Sequence, residues 1–220
     1  MNKFVKKIIA SAVLFVGITT LTTAQVTTAS TYFKTVSEYY AALKDYEVDF
    51  QIFINKKETN GTLSYLTPNF FRMDYTNPAN QVICYNGEFL TMYLPETGAV
   101  LQQEPQGGTV ASPMGLSLMS RYYNVAYEVG QAPVPLDDGS SEMVVKFILN
   151  RKSAAEAFYH IKIAVNPDTK LIRRIEAVTP GGVTFTFNFF NYRLNQGIAP
   201  QRFIYDPPSS ANNLNNFLTE

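Results

Sequence analysis

The run from Leu66 to Leu94, LTPNFFRMDYTNPANQVICYNGEFLTMYL, limits this chain to a narrow set of folds. Phe71-Arg72-Met73-Asp74-Tyr75 alternates apolar and polar side chains, the two-residue period of a half-buried strand. Pro68-Asn69 precedes it, Asn77-Pro78 ends it, and Asn86-Gly87 sits between two further apolar runs as a hairpin signal. Short strands joined this tightly pair antiparallel.

The same period recurs along the chain. Tyr46, Val48, Phe50, Ile52 and Ile54 alternate with Glu47, Asp49 and Gln51. Further strands are expected over 61–66, 70–75, 81–85, 88–94 and 99–103, and again over 122–128, 143–150, 158–165, 171–178 and 183–190. Together they make about eleven strands. In the last, Val183, Phe185, Phe187 and Phe189 share one face and Thr184, Thr186 and Asn188 the other.

Helical signals are fewer. Thr35-Val-Ser-Glu38 has capping-box spacing, with Val36, Tyr40 and Leu43 behind it at i, i+4 and i+7. Ser112 to Arg121 reads as one or two weak helices, with Pro113 near a first turn and Gly115 lowering the propensity. Its apolar residues Met114, Leu116, Leu118 and Met119 make no single clean stripe. Gln131 to Ser141 is rich in Pro, Asp and Gly and reads as a loop, and Asn212 to Asn216 as a frayed or loosely docked tail.

Lys3, Lys6 and Lys7 followed by the apolar run Ile8 to Ile18 form a secretory leader, residues 1–24, with cleavage after Ala24 or Ala29. That run is shorter than the roughly 20 residues of a membrane span. Loss of three lysines from the 18 basic residues leaves 15 against 18 acidic, a balance that argues against nucleic acid or an anionic membrane as the main partner. The rest, 30–220, has the length of one domain. With 14 Tyr and 16 Phe in the full chain but no Trp, the protein must bury much aromatic surface or offer it to an apolar ligand.

Catalytic signals are weak. His160 stands in a strand with no Cys, Asp or Glu at metal-ligand spacing, and no Gly-x-Ser-x-Gly elbow or phosphate loop accompanies it. Cys84 can form no internal disulfide and reads as a small buried strand residue. Asp137 and Asp138, the one candidate carboxylate pair, read as solvated. A binding protein is expected, with no enzymatic activity, cofactor or metal.

The Pro-Asn-x-Phe strand, the Asn77-Pro78 break and the hairpin resemble the LolA family of periplasmic lipoprotein carriers. The stretch Phe189 to Pro208, FFNYRLNQGIAPQRFIYDPP, is similar to the family's closing segment. The resemblance implies a mainly β (α+β) fold: an incomplete, strongly bent antiparallel β-barrel of eleven strands under a lid of three short helices. It implies a periplasmic monomer that takes the acyl chains of lipoproteins from an inner-membrane LolCDE-type transporter and passes them to an outer-membrane LolB-type acceptor. Carried over by residue, Tyr46, Val48, Phe50, Ile52, Phe71, Met73 and Tyr75 fall on the concave lipid-binding face. Met114, Leu116, Leu118 and Met119 fall in the lid, and Thr67 occupies the lid-contact position, where relatives carry a basic residue. The alternatives are a carrier or sensor of free lipid or glycolipid on the same fold, and a secreted structural or surface-interaction module.

Overall fold

The computed structural model describes residues 27–104 and 114–215, and of Met114 and Gly115 only the backbone. The leader therefore lies outside the described residues, as do Ser112 and Pro113 of the helical insert.

α1 (Ala29–Ala42) begins earlier than the capping-box spacing suggests. Thr28 is the N-cap, its Oγ1 accepting from the Thr31 amide at 3.2 Å. Thr35 lies inside the helix, where its hydroxyl donates to the Tyr32 carbonyl at 2.7 Å. The helix buries Phe33, Val36 and Tyr40, and Leu43 beyond its end is buried too. Each such side chain contributes ~1.5–3 kcal/mol of transfer free energy.

Among the described residues a single sheet of thirteen strands follows, two more than expected. Its first half comprises β1 (Asp45–Ile54), β2 (Lys57–Leu66), β3 (Phe70–Asn77), β4 (Val82–Tyr85), β5 (Leu90–Leu94) and β6 (Ala99–Gln103). After α2 (Met114–Tyr122) come β7 (Tyr123–Tyr127), β8 (Val134–Pro135), β9 (Met143–Arg151), β10 (His160–Val165), β11 (Ile172–Val178) and β12 (Thr184–Leu194). A 3-10 turn (Pro200–Phe203) leads to β13 (Asn212–Asn215).

The spatial order is β13-β6-β5-β4-β3-β2-β1-β12-β11-β10-β9-β7, with β8 beside β9. β7 and β13 are the two ends of this order and do not pair with each other, so the barrel is open. All pairs are antiparallel except β13 with β6. The Asn-rich end is thus a docked edge strand rather than a loose tail, its residues matched to Ala99, Val100, Leu101 and Gln102. β8, inside the Pro-rich loop, is the other unexpected strand.

Register shifts bend the sheet at three places: between Glu47 and Asp49, between Asn60 and Gly61, and between Ala164 and Val165. At the first, β12 supplies the extra residue, and Asn191 there has φ 55°. The extra residue resets the alternation, so Phe185, Phe187 and Phe189 and then Tyr192 and Leu194 all face the side on which α1 packs.

That side is the inner face. Under α1 it carries Val145, Phe147, Leu149, Ile161, Ile163 and Val165. A buried polar knot ties helix to sheet: the Ile172 amide donates to Tyr40 Oη at 2.9 Å, and Tyr192 Oη donates to the Ile172 carbonyl at 2.8 Å. Tyr40 is left to donate to Tyr192 Oη, 3.0 Å away. Burial pushes the Tyr40 phenol up to about 12 and Tyr192 well above its usual range, so both stay neutral donors.

Candidate functional site

Cross-strand register fixes which side chains share the inner face. Tyr46 stands opposite Tyr65, Tyr65 opposite Phe71, Phe71 opposite Tyr85, and Tyr85 opposite Leu90. A second row runs Val48, Leu63, Met73, Ile83, Met92 and Leu101. Phe50, Gly61 and Tyr75 form a third, which Phe189 continues on β12, and Ile52 stands opposite Phe187 one row further on. All seven residues assigned to the concave face from sequence therefore lie on this one surface.

They differ in exposure. Val48, Phe50 and Ile52 are buried, whereas Phe71, Met73 and Tyr75 are only half-buried. Leu63, Ile83, Leu90, Met92 and Leu101 are half-buried as well, and none of these eight belongs to the cluster under α1. The inner face of β7 and β9 to β12, with Tyr46 of β1, is packed beneath α1, while Val48, Phe50 and Ile52 are buried outside that cluster. The inner face of β2 to β6 offers a continuous apolar surface.

The opposite side of β3 is polar where the alternation requires it. Asp74 accepts from Arg72 Nη2 at 2.8 Å and is also paired with Arg202. Burial by itself would raise the Asp74 carboxyl, but the hydrogen bonds and charges of these two arginines hold it below the usual carboxylate range. Arg72 Nη1 further donates to the Arg202 carbonyl at 3.2 Å. The closing segment is thereby strapped over the outer face, where Phe203 packs on Val82 and Cys84. Cys84 is buried there, its thiol pushed up to about 11 by burial.

α2 lies at the rim of the inner face. Leu116 and Met119 turn inward against the core, while Leu118 is exposed and does not share their face. The Met114 side chain lies outside the described residues. Lys152 holds the last turn: its Nζ donates to the Ser120 carbonyl at 2.8 Å and to the Arg121 carbonyl at 3.3 Å. Its amide donates to the Tyr122 carbonyl at 3.0 Å. Thr67 is exposed, and its amide donates to the Lys44 carbonyl at 2.8 Å, just past the end of α1. Sequence reasoning missed Lys152, because a lysine in a hairpin carries no signal of the helix end it meets in space.

A family profile described as outer membrane lipoprotein carrier protein LolA matches residues 43–206. The chain belongs to the LolA family. It is 22% identical over 156 residues to a protein of Methylibium petroleiphilum named outer-membrane lipoprotein carrier protein, covering 71% of this chain and 72% of that one. A protein of the same name from Pseudomonas aeruginosa is 23% identical over 157 residues, covering 69% of each. Among solved structures, an uncharacterized conserved protein from Thermus thermophilus superposes with a TM-score of 0.57 at 11% identity, covering 83% of this chain and 98% of that one. The Pseudomonas aeruginosa MucA/MucB complex gives 0.54 at 10%, covering 81% and 61%. At such identity these likenesses show the open, curled sheet and nothing finer.

The outer face of this LolA-family chain also has a hollow. A cavity of about 280 Å³ lies between residues 128–138 and strands β9 to β11, lined by Glu128, Asp137, Lys146, Lys162, Arg174 and Glu176. Asp137 is not simply solvated: both its oxygens accept from Arg174, at 2.6 and 2.9 Å. So charged a lining suits no acyl chain. His160 sits half-buried in β10 beside Tyr159, and among the described residues no cluster of His, Cys, Asp or Glu could hold a metal ion. No described helix is long and apolar enough to cross a membrane.

Proposed function

We propose that this chain is a periplasmic carrier that takes the acyl chains of lipoproteins onto the open half of its inner face and moves them from the inner to the outer membrane. It acts by binding and catalyses no reaction. Membership of the LolA family supports the class of cargo. The observation that carries the reading is the continuous set of half-buried apolar side chains on β2 to β6, Phe71, Met73 and Tyr75 among them.

The physics sets the scale. Each acyl CH₂ removed from water is worth ~0.8 kcal/mol, so one chain of about fourteen carbons carries roughly 10 kcal/mol of gross transfer energy. An aqueous crossing needs apolar area to match it. Release at the far side needs a modest net affinity, which an open face gives more readily than a sealed one. An inner-membrane LolCDE-type transporter would load the carrier and a LolB-type acceptor would unload it.

A hydrophobic reporter dye bound to the inner face provides the test. Acylated peptide should displace it, and the same peptide without lipid should not. Equal competition by the unlipidated peptide would mean that polypeptide is recognised, and the carrier reading would fail.

A further inference from the structure

The structure describes seven arginines, and five are paired with carboxylates: Arg72 and Arg202 with Asp74, Arg173 with Glu142, Arg174 with Asp137, and Arg193 with Glu47 and Asp49. The other two, Arg121 and Arg151, have no carboxylate within ion-pair distance among the described residues; Arg121 lies in the last turn of α2 and Arg151 ends β9, whose next residue, Lys152, bonds to that helix end. Arg121 lies over the Tyr122 ring at 5.9 Å and Arg151 over the Tyr159 ring at 5.1 Å. Both tyrosines are among the most exposed large apolar residues, at 45% and 54%.

Backbone contacts make the corner continuous. Lys152 bonds to the end of α2 through Ser120, Arg121 and Tyr122, and the Arg151 amide donates to the Tyr159 carbonyl at 3.3 Å. Among the described residues Lys152 has no carboxylate partner either. The hairpin that follows exposes Ala154, Ala155 and Ala157, and Leu118 is exposed one turn back on α2. Glu156 is the only acid in that hairpin.

We propose that this corner docks the carrier on an anionic membrane surface. Three cations without acidic partners complement lipid phosphates, and exposed tyrosines with apolar bodies and polar tips suit the headgroup layer. Cation–π stacking keeps each guanidinium beside its ring, so charge and apolar surface arrive at the bilayer together. Without the leader's three lysines the chain holds 15 basic against 18 acidic residues, and this excess of acid confines the attraction to this corner and keeps the contact brief. The inference deepens the carrier reading and rests on it, because the corner adjoins the last turn of α2 and would bring the rim of the inner face to the bilayer.

Co-sedimentation tests it, using processed protein recovered after export and protein-free vesicles of phosphatidylglycerol with phosphatidylcholine, or of phosphatidylcholine alone. Wild type should bind the anionic vesicles preferentially, and added salt should weaken binding. Arg121→Gln with Arg151→Gln should lower the partition coefficient by about 25-fold, roughly fivefold per cation lost. Arg121→Lys with Arg151→Lys should retain most of it, and Tyr122→Ser with Tyr159→Ser should lower it at high salt as well. Absence of binding to anionic vesicles would overturn the proposal. So would equal loss in the Gln and Lys variants, or equal binding to vesicles of phosphatidylcholine alone. Dye displacement by acylated peptide separates the two readings: if it persists without vesicle binding, the carrier stands and the docking corner does not.

Discussion

Phe50 and Tyr75 meet edge to face across Gly61, with ring centroids 5.1 Å apart at 74°. Gly61 is the cross-strand partner of both, so the absence of its side chain lets two aromatic rings on strands once removed touch. A Cβ at this position would collide with the Asp74 carbonyl and the Tyr75 Cα, backbone atoms that cannot yield cheaply. Gly61→Ala should therefore destabilise the protein by ~1–3 kcal/mol, the usual cost of overpacking. A urea midpoint equal to that of wild type would show that the bulge at Asn60 and Gly61 relaxes freely.

Phe71 is half-buried, and its ring lies 6.1 Å from that of Tyr85. Phe71→Glu sets a carboxylate in the middle of the apolar surface, where acyl chains would have to strip its water. Dye binding should fall by about tenfold or more while near-UV circular dichroism stays native. Unchanged dye binding would take Phe71 out of the site.

The contact of Lys152 with the Ser120 carbonyl, 2.8 Å, places a cation from outside the helix on the last turn of α2. Lys152→Met keeps the side-chain bulk and removes both donated bonds. A hydrogen bond of this kind contributes about 1 kcal/mol, and bonds to a charged group more. Amide exchange over 118–122 should accelerate by about fivefold or more, and dye entry should quicken with it. Equal exchange in mutant and wild type would mean that packing of Leu116 and Met119 alone holds the helix.

Asp74 gives a pH dependence with a definite sign. Its folded-state carboxyl lies below the ordinary 3.8, so the Arg72 and Arg202 pairings stabilise the fold fully above that value and are lost as pH falls through the depressed one. Asp74→Asn should lower stability near neutral pH and flatten the loss of thermal midpoint below pH ~4. A mutant that keeps the full acid sensitivity of wild type would assign it to other carboxylates.

Much of this was legible in the sequence, for physical reasons that differ by element. Alternation at Phe71, Met73 and Tyr75 placed three side chains on one face because strand geometry leaves no other choice. The hairpin at Asn86-Gly87 was recognisable, but as a two-residue turn. In the structure residues 86–89 form the loop, with Asn86 Oδ1 accepting from the Glu88 and Phe89 amides at 3.0 and 2.8 Å. The continuation of β12 to Leu194 was hidden because the bulge at Asn191 breaks the alternation. β13 was hidden because its pairing comes from β6, far away along the chain, and its own Asn-rich sequence has low strand propensity. The start of α1 was misread at Thr35 because Thr28 offers the same hydroxyl without the glutamate three residues on.

Native mass spectrometry of the processed protein recovered from its own periplasm tests the central claim most directly. Wild type is expected to carry bound acylated polypeptide, and Phe71→Glu from the same cells to be largely empty. A wild-type protein that carries free glycolipid or phospholipid, or nothing where the mutant also carries nothing, would contradict a lipoprotein carrier built on this face.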